Sequence, residues 1–175
     1  DVTGGTIDPI SAGFKTWVTA YGTYSDGTTV DINRYVAYSS SDVSIAYVID
    51  EIDSNIRGRS EGSAVITATW QGVSASVTAP VIGLNSIEIQ ENCGSTETPI
   101  IDAGNPLNLI VSEEQCINAW GNYSDSEKRR LTTLVFWKSE DQSIASMDIL
   151  QRNSKVTGEV AGNTNVTATL VGVTG

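Results

Sequence analysis

Carboxylate side chains are the residues of this sequence that could do chemistry, and they occur in two groups. The first group is Asp50, Glu51 and Asp53, and the second is Asp26, Asp31 and Asp42. Carboxylate oxygens are ligands that Ca²⁺ prefers. Neither group has the Asp-x-Asp-x-Asp-Gly pattern of a calcium loop, so the sequence favours solvated acidic turns, with a weak Ca²⁺ site as the alternative.

The sequence contains no histidine. Histidine is the general base of Ser-His-Asp triads and a common zinc ligand, so triads of that kind and His-containing metal sites are excluded within this chain. Carboxylate chemistry remains conceivable, but the acidic group at 50–53 is better explained as a solvated turn, so the sequence predicts a protein that is not an enzyme. It predicts no catalytic residues, no cofactor and no metal site beyond the weak calcium candidates.

The charge of the chain argues against two classes of partner. The formal net charge is −11 and the pI is near 4.2, whereas nucleic-acid and anionic-membrane surfaces attract clustered Lys and Arg. The one basic run, 128–130, is expected to be a solvated turn. No stretch approaches the roughly 20 apolar residues of a membrane helix, so we expect neither nucleic-acid binding nor membrane insertion.

The elements that must position these residues are strands. The chain is rich in Thr, Ser, Val, Ile and Gly, which favours β-structure and turns over helices. Its side-chain period is two: Val18 and Ala20 share one face of a predicted strand, while Trp17, Thr19 and Tyr21 share the other. The pattern predicts an all-β protein of half-buried antiparallel strands.

The sequence repeats itself. The segment "YGTYSDGTTVD" at 21–31 returns as "WGNYSDSEKRR" at 120–130, and "SIA" at 44–46 returns at 143–145. Further downstream Gly58, Gly62, Thr67, Ala68 and Thr69 align with Gly158, Gly162, Thr167, Ala168 and Thr169. We expect two tandem domains, 1–82 and 83–175, because such repetition marks a repeated structural unit.

Each copy contains a predicted β-hairpin. In the first copy the turn contains Asp26 and Gly27, and Asp-Gly suits a hairpin turn with positive φ. In the second copy Asp125 is followed by Ser126 where the first has glycine. We therefore expect the second turn to be of a different type.

The ordered motifs resemble the bacterial immunoglobulin-like domain, group 2. The first copy carries "WVTAYGTYSDGT", "VAYSSSD", "SIAYV" and "GRSEGSAVITAT", and the second carries "CINAWGNYSDS", "VFWKSED", "SIASM" and "GEVAGNTNVTAT". The resemblance covers most of the chain. It implies antiparallel β-sandwich domains of the kind found in intimin- and invasin-type surface proteins and in phage virion proteins. Trp137 stands at the family's core aromatic position, and Tyr38 replaces the usual Trp there, which leaves a hydroxyl that needs a partner.

Both ends of the chain depart from this pattern. The first strand of 1–82 is expected to be short or missing, and the last strand of 83–175 truncated. A trimmed or excised chain is one interpretation. Donation of the missing strands by a neighbouring chain is the other, and such head-to-tail contacts would build a filament.

The two cysteines, Cys93 and Cys116, are expected to form a disulfide, because an even count in an extracellular β-domain fits an oxidising compartment. The bridge would contribute about 3 kcal/mol. Cys116 precedes Ile117, which is expected to face inward, so the bridge should lie on the surface. A reactive thiol pair is the alternative, but the pair lacks Cys-x-x-Cys spacing.

The resemblance implies a non-enzymatic structural or adhesive segment of an exported bacterial cell-surface protein. Its partners would be neighbouring Ig-like domains or like subunits, with a protein or glycan receptor at loops, edge strands or exposed aromatic side chains. A virion decoration or tail module, and a filament subunit assembled by strand complementation, are the alternatives.

Overall fold

The computed structural model describes residues 5–50, 54–91, 100–102, 104, 106–149 and 154–175. These residues form strands and turns without a helix, which confirms the prediction of an all-β protein for the described part of the chain. None of them belongs to a helix long and apolar enough to span a membrane. The chain divides into two compact units, Asp1–Gly83 (unit 1) and Leu84–Gly175 (unit 2).

The strands described in unit 1 are β1 (Gly5–Thr6), β2 (Ile10–Ser11), β3 (Lys15–Trp17), β4 (Tyr21–Thr23), β5 (Thr29–Asp31), β6 (Ala37–Ser40), β7 (Ala46–Asp50), β8 (Asn55–Gly58), β9 (Gly62–Trp70) and β10 (Val73–Ile82). The largest sheet has the order β1-β10-β9-β6, with β2 also paired to β10. The short strands β1 and β2 run parallel to β10, whereas β9 is antiparallel to both β10 and β6. A second sheet has the order β3-β8-β7, and β4 and β5 form a hairpin.

The core of unit 1 follows the period of two along β9. Ala64, Ile66 and Ala68 are buried, while the residues between them face outward. Burial of Ile66 contributes about 1.5–3 kcal/mol, and each alanine methyl contributes about 0.8 kcal/mol. Strand β8 approaches the main sheet closely: a Cβ on Gly58 would lie 3.0 Å from Cγ1 of Val81. That position therefore favours glycine.

The strands described in unit 2 are β11 (Leu84–Glu91), β12 (Glu114–Tyr123), β13 (Lys128–Arg130), β14 (Phe136–Ser139), β15 (Ala145–Ile149), β16 (Ser154–Gly158), β17 (Val166–Leu170) and β18 (Val173–Thr174). One sheet has the order β11-β12-β16-β15, with β13 also paired to β12. The other has the order β14-β17-β18. Ile117, Ala119, Tyr123, Leu131 and Trp137 are among its buried side chains.

The repeat places the same strands in both units. Strands β5 to β9 of unit 1 correspond in sequence to β13 to β17 of unit 2, and β10 begins where β18 does. The long strand β12 corresponds to β3 and β4 together. One difference concerns the site described below: β11 pairs with the outer edge of β12, whereas among the described strands β4 pairs with β5 alone.

Candidate functional site

An open groove with a volume of about 620 Å³ runs along β4 in unit 1. Residues 18–25 and the β9–β10 hairpin line it, together with the inward-facing Tyr38, Ile66 and Ala68. We call this cavity the β4 groove. Its lining combines the edge of a strand with apolar side chains, which is the surface that an extended peptide recognises.

The β4 groove corresponds to a place that is filled in unit 2. There β11 runs antiparallel to β12, with Ile89 opposite Ala119, Ile87 opposite Gly121 and Leu84 opposite Tyr123. The repeat matches those three β12 residues to groove-lining residues of unit 1, namely Ala20, Gly22 and Tyr24. The groove therefore lies beside the residues of unit 1 that correspond to the β11-facing residues of β12.

Solvent exposure shows the effect of this difference. Tyr24 is 44% exposed, whereas its counterpart Tyr123 is 2% exposed. Val18 is half-buried, and its counterpart Ile117 is 1% exposed. The same residues of the repeat are thus covered by β11 in unit 2 and more exposed in unit 1.

A glycine common to both copies explains how a strand can approach. A Cβ added to Gly121 would lie 2.6 Å from Cδ1 of Leu84 and 2.7 Å from Cδ1 of Leu131, so that position has no room for a side chain beneath β11. At Gly22 the three nearest atoms all belong to Ile32, the closest at 3.2 Å. Unit 1 thus retains the small residue although no described strand lies over it.

Aromatic side chains gather at the groove. The ring of Trp70 lies 6.5 Å from that of Tyr24, edge to face, and 6.1 Å from that of Tyr35. Tyr21, which lines the groove, is exposed; Trp17, which does not line it, is 73% exposed. A glycan or protein receptor at these rings stays a prediction. The sequence predicts exposed aromatic side chains in general but does not point to Tyr35, because a lone tyrosine outside a strand carries no pattern.

Tyr38 and Trp137, expected to be core aromatics, are both buried, and their polar atoms have partners. Tyr38 donates its hydroxyl hydrogen to Oδ1 of Asn33 over 2.9 Å, and Trp137 donates Nε1–H to the carbonyl oxygen of Thr132 over 3.0 Å. Asn33 and Thr132 are counterparts in the repeat. Each unit therefore satisfies its own aromatic residue from the same position. Burial also raises the pKa of the Tyr38 phenol.

The two hairpin turns, expected to differ in type, have the same hydrogen bonds. Tyr24 N–H donates to the carbonyl oxygen of Thr28, and Tyr123 N–H donates to that of Glu127. Gly27 has φ +83° and its counterpart Ser126 has φ +66°. The expectation of a different turn is wrong, because the pairing of the flanking strands holds Ser126 in the left-handed region that glycine adopts more easily.

The acidic calcium candidates do not come together among the described residues. Their oxygens are used in local turns: Oδ1 of Asp26, Asp31 and Asp42 accepts the backbone N–H of Thr28, Asn33 and Ser44. The hydroxyls of Thr28 and Ser44 also donate to Asp26 and Asp42 and are the main cause that lowers the pKa of both carboxyls. In the described part of the chain no three acidic or cysteine side chains form a group that could hold a metal ion.

Some predicted residues lie outside the described part. Glu51, Asp53 and Cys93 are among them, and the side chain of Asp50 is not described either. Cys116 lies in β12 and is half-buried beside the fully buried Ile117. The disulfide between the two cysteines stays a prediction.

The basic run 128–130 forms β13 rather than a solvated turn. Lys128 forms an ion pair with Glu88 of β11 over 2.8 Å, and Arg129 pairs with Asp125 over 2.5 Å. Arg130 donates to Oδ1 of Asn118 over 2.6 Å. These cations therefore hold β11 and the hairpin to β12 and do not form a free basic patch.

Comparison with known proteins gives one curated relative. Ice-binding protein 1 of Shewanella frigidimarina (strain NCIMB 400) is 32% identical over 158 residues, which are 88% of this chain and 16% of the relative. This chain thus spans about one sixth of that protein. No family model matches the chain.

Two solved structures also align with the chain. Domains 5-6 of the S-layer protein SbsC align with 98% of this chain and 89% of that structure, at 17% identity and a TM-score of 0.35. A structure of domains 4-9 aligns with 98% of this chain and 29% of that structure, at 15% identity and a TM-score of 0.39. The resemblance to group 2 bacterial immunoglobulin-like domains stays a prediction.

Proposed function

We propose that residues 1–175 are a non-enzymatic structural segment of an exported bacterial cell-surface protein, in which two Ig-like sandwiches act as a stalk or interaction segment. The observation that carries this proposal is the pair of all-β units built from one repeat, which is similar to one sixth of a much longer bacterial protein. A repeated unit of this kind extends a chain by adding copies.

A stalk must resist force. When the purified chain is pulled by its two ends in single-molecule force spectroscopy, we expect two unfolding events, one for each unit. Each should release roughly 30 nm of chain, because an extended residue spans about 0.33–0.36 nm. Extension without discrete unfolding events would contradict a load-bearing role.

Location has a test of its own. Antibodies raised against residues 1–175 should label intact cells that make the full-length protein as strongly as permeabilised cells. Labelling restricted to permeabilised cells would contradict a surface location, whatever the mechanical result.

Direct contact with ice is the second candidate, because the similar protein is named for ice binding. The outward positions of the main sheet of unit 1 carry no charge. They are Thr6, Ala37, Ser39, Ser63, Val65, Thr67, Thr69, Ser74, Ser76, Thr78 and Pro80. Neighbouring hydroxyls on this face would be about 4.8 Å apart between strands and about 6.7 Å apart along them.

Ice growth in the presence of the isolated chain separates the two candidates. A stalk segment should leave crystal shape and growth rate unchanged. Shaped crystals that lose their shape with Thr67→Lys, but not with Lys138→Thr on the corresponding sheet of unit 2, would favour direct ice contact.

The remaining alternatives predict assemblies. A filament subunit would form ordered polymers in light scattering of the purified chain, and a stalk segment would remain monomeric. The virion alternative gains no support from the similarity to an ice-binding protein.

A further inference from the structure

We propose that the outer face of the β3-β8-β7 sheet of unit 1 binds an acidic polysaccharide, whose carboxylates pair with Lys15, Arg57 and Arg59. We call this surface the basic face. It also carries the aromatic rings of Trp17 and Tyr47, which alternate with inward residues along their strands. The inference goes beyond the stalk proposal and does not depend on it. It assigns unit 1 a ligand by chemical class.

The pairing of the strands brings these side chains into one row. Lys15 lies opposite Arg57 on the neighbouring strand, and Arg57 lies opposite Tyr47 on the next. Side chains at opposite positions have Cβ atoms about 4.5–5.5 Å apart. The guanidinium carbon of Arg59 lies 5.4 Å from the centre of the Tyr47 ring. Lys15 and Arg59 are exposed and Arg57 is half-buried, so three cations border one another on one accessible surface.

These cations have no counter-charge within the described part of the chain. None of the three side chains forms an ion pair there, and Nε of Arg57 is buried without a hydrogen-bond partner. Like charges directly opposite each other destabilise a pair of strands. The chain has 21 Asp and Glu residues against 10 Lys and Arg residues, so composition does not explain the missing partner. A bound anion would remove the repulsion between Lys15 and Arg57.

The same face of unit 2 is acidic and internally bonded. The repeat aligns Lys15, Arg57 and Arg59 with Glu114, Thr157 and Glu159. Glu114 lies opposite Thr157 and accepts a hydrogen bond from Lys155 over 2.7 Å. Glu159 accepts the hydroxyl hydrogen of Ser146 over 2.6 Å. The fold therefore does not require cations at these positions, and their presence in unit 1 favours a role in binding.

The aromatic rings favour a sugar over a compact anion. Trp17 is 73% exposed and lies two residues from Lys15 on the same strand. Sugar rings have C–H faces that pack on aromatic rings, and uronic acid carboxylates accept paired hydrogen bonds from guanidinium groups. A chain of uronic acids presents both groups repeatedly, which a phosphate or sulfate ion does not.

A nucleic-acid strand also combines negative charge with rings. Proteins that bind single strands use a positively charged groove that follows the backbone. The basic face has three cations on a short sheet, and the whole chain has a net charge of −11. These features favour a short stretch of acidic sugar, and the experiment includes the nucleic acid as a competing ligand.

The test titrates the ¹⁵N-labelled chain with a hexamer of galacturonic acid. We expect amide shift changes at residues 15–17, 47 and 55–59, and none at residues 114–116 and 155–159 of unit 2. The methyl ester of the same hexamer is the matched probe, because it keeps the sugar rings and lacks the charges. It should bind at least about tenfold more weakly, since the charge-assisted hydrogen bonds are lost.

Unit 2 supplies the variants. Arg57→Thr copies Thr157 and should weaken binding of the acidic hexamer about tenfold, because one paired guanidinium–carboxylate contact is lost. Arg59→Glu copies Glu159 and should weaken binding further, because attraction becomes repulsion. Lys138→Thr removes one cation from unit 2 and is the matched control, which should leave binding unchanged. Circular dichroism and the amide spectrum of unit 2 check that each variant folds.

Three results would overturn the proposal. The first is an absence of shift changes on the basic face at millimolar hexamer. The second is equal binding of the hexamer and its methyl ester, which would show that the carboxylates are not recognised. The third is equal or tighter binding of a single-stranded thymidylate hexamer, which would show that the face attracts polyanions without selecting a sugar. None of these results would bear on the force measurement that tests the stalk proposal.

Discussion

Unit 1 and unit 2 repeat one sequence pattern, but the corresponding strand has different neighbours in the two units. In unit 2 the strand β12 lies between β11 and β13, and Tyr123 is 2% exposed. In unit 1 the corresponding segment is divided into β3 and β4, and Tyr24 is 44% exposed. The comparison indicates what β11 supplies in unit 2: it covers Tyr123, whose counterpart in unit 1 is exposed.

The largest expected effect comes from weakening β11. Ile89→Ala should destabilise unit 2 by about 2–5 kcal/mol, because it removes most of a buried side chain and leaves a cavity. Gln90→Ala, at the next position of β11, is the matched control and should cost much less. Chemical denaturation with amide exchange followed separately in each unit measures both. Equal effects of the two variants would mean that β11 does not complete the core.

The aromatic positions give the next effect. Oδ1 of Asn33 accepts the N–H of Ala20 over 2.6 Å as well as the hydroxyl of Tyr38. Asn33→Ala leaves both donors without this partner and should destabilise unit 1 by about 1–3 kcal/mol. Asn33→Asp keeps an acceptor oxygen and should cost less.

In unit 2 the corresponding position makes the two hydrogen bonds with different atoms. Its counterpart Thr132 accepts the N–H of Ala119 with Oγ1 over 3.1 Å, while its backbone carbonyl accepts the indole of Trp137. Thr132→Val should therefore remove the bond to Ala119 and leave the bond to Trp137 in place. A Trp137 Nε1–H proton that loses its exchange protection in this variant would contradict the assignment.

The sequence predicted the two core aromatic residues but not the groups that bond to them. The repeat placed Tyr38 and Trp137 at one position of an all-β unit, and it followed that a tyrosine hydroxyl would need a partner. The partner could not be read, because Asn33 is five residues away on a turn whose path depends on the pairing of β4 with β5. That the first strand of 1–82 is short or missing stays a prediction. The β4 groove could not be read from the sequence either, because comparing its lining with unit 2 required the register of β11 on β12.

Substitutions in the two hairpin turns should change stability by smaller amounts and in opposite directions. Ser126 has φ +66°, a conformation that costs L-residues about 1–2 kcal/mol, so Ser126→Gly should stabilise unit 2 by about 0.5–1 kcal/mol after the greater freedom of unfolded glycine is subtracted. Gly27→Ser should destabilise unit 1 by a similar amount. Thermal unfolding measures both. Two changes of the same sign would show that the turns differ despite their common hydrogen bonds.

The smallest effect is a dependence on pH at the same turns. The side chain of Arg129 is the main cause that lowers the pKa of Asp125 from 3.8 to about 2, and Val30 stands at the position of Arg129 in unit 1. Because the folded-state pKa is depressed, the contribution of Asp125 is present above its unfolded pKa of about 3.9 and is lost as pH falls through about 2. Below about pH 4 the hairpin of unit 2 should therefore lose support.

Carboxyl chemical shifts followed by NMR from pH 6 to pH 1.5 test this expectation. Asp125→Asn should remove this contribution and leave unit 1 unchanged, while Arg129→Val, which copies unit 1, should raise the pKa of Asp125 toward its ordinary value. The guanidinium also lies 4.8 Å from the centre of the Tyr123 ring, so this variant loses a cation–π contact at every pH. The ion pair accounts only for the part of the stability loss that disappears below about pH 2. Because the carboxyl of Asp125 is exposed, this part should be smaller than the part that comes from the lost cation–π contact.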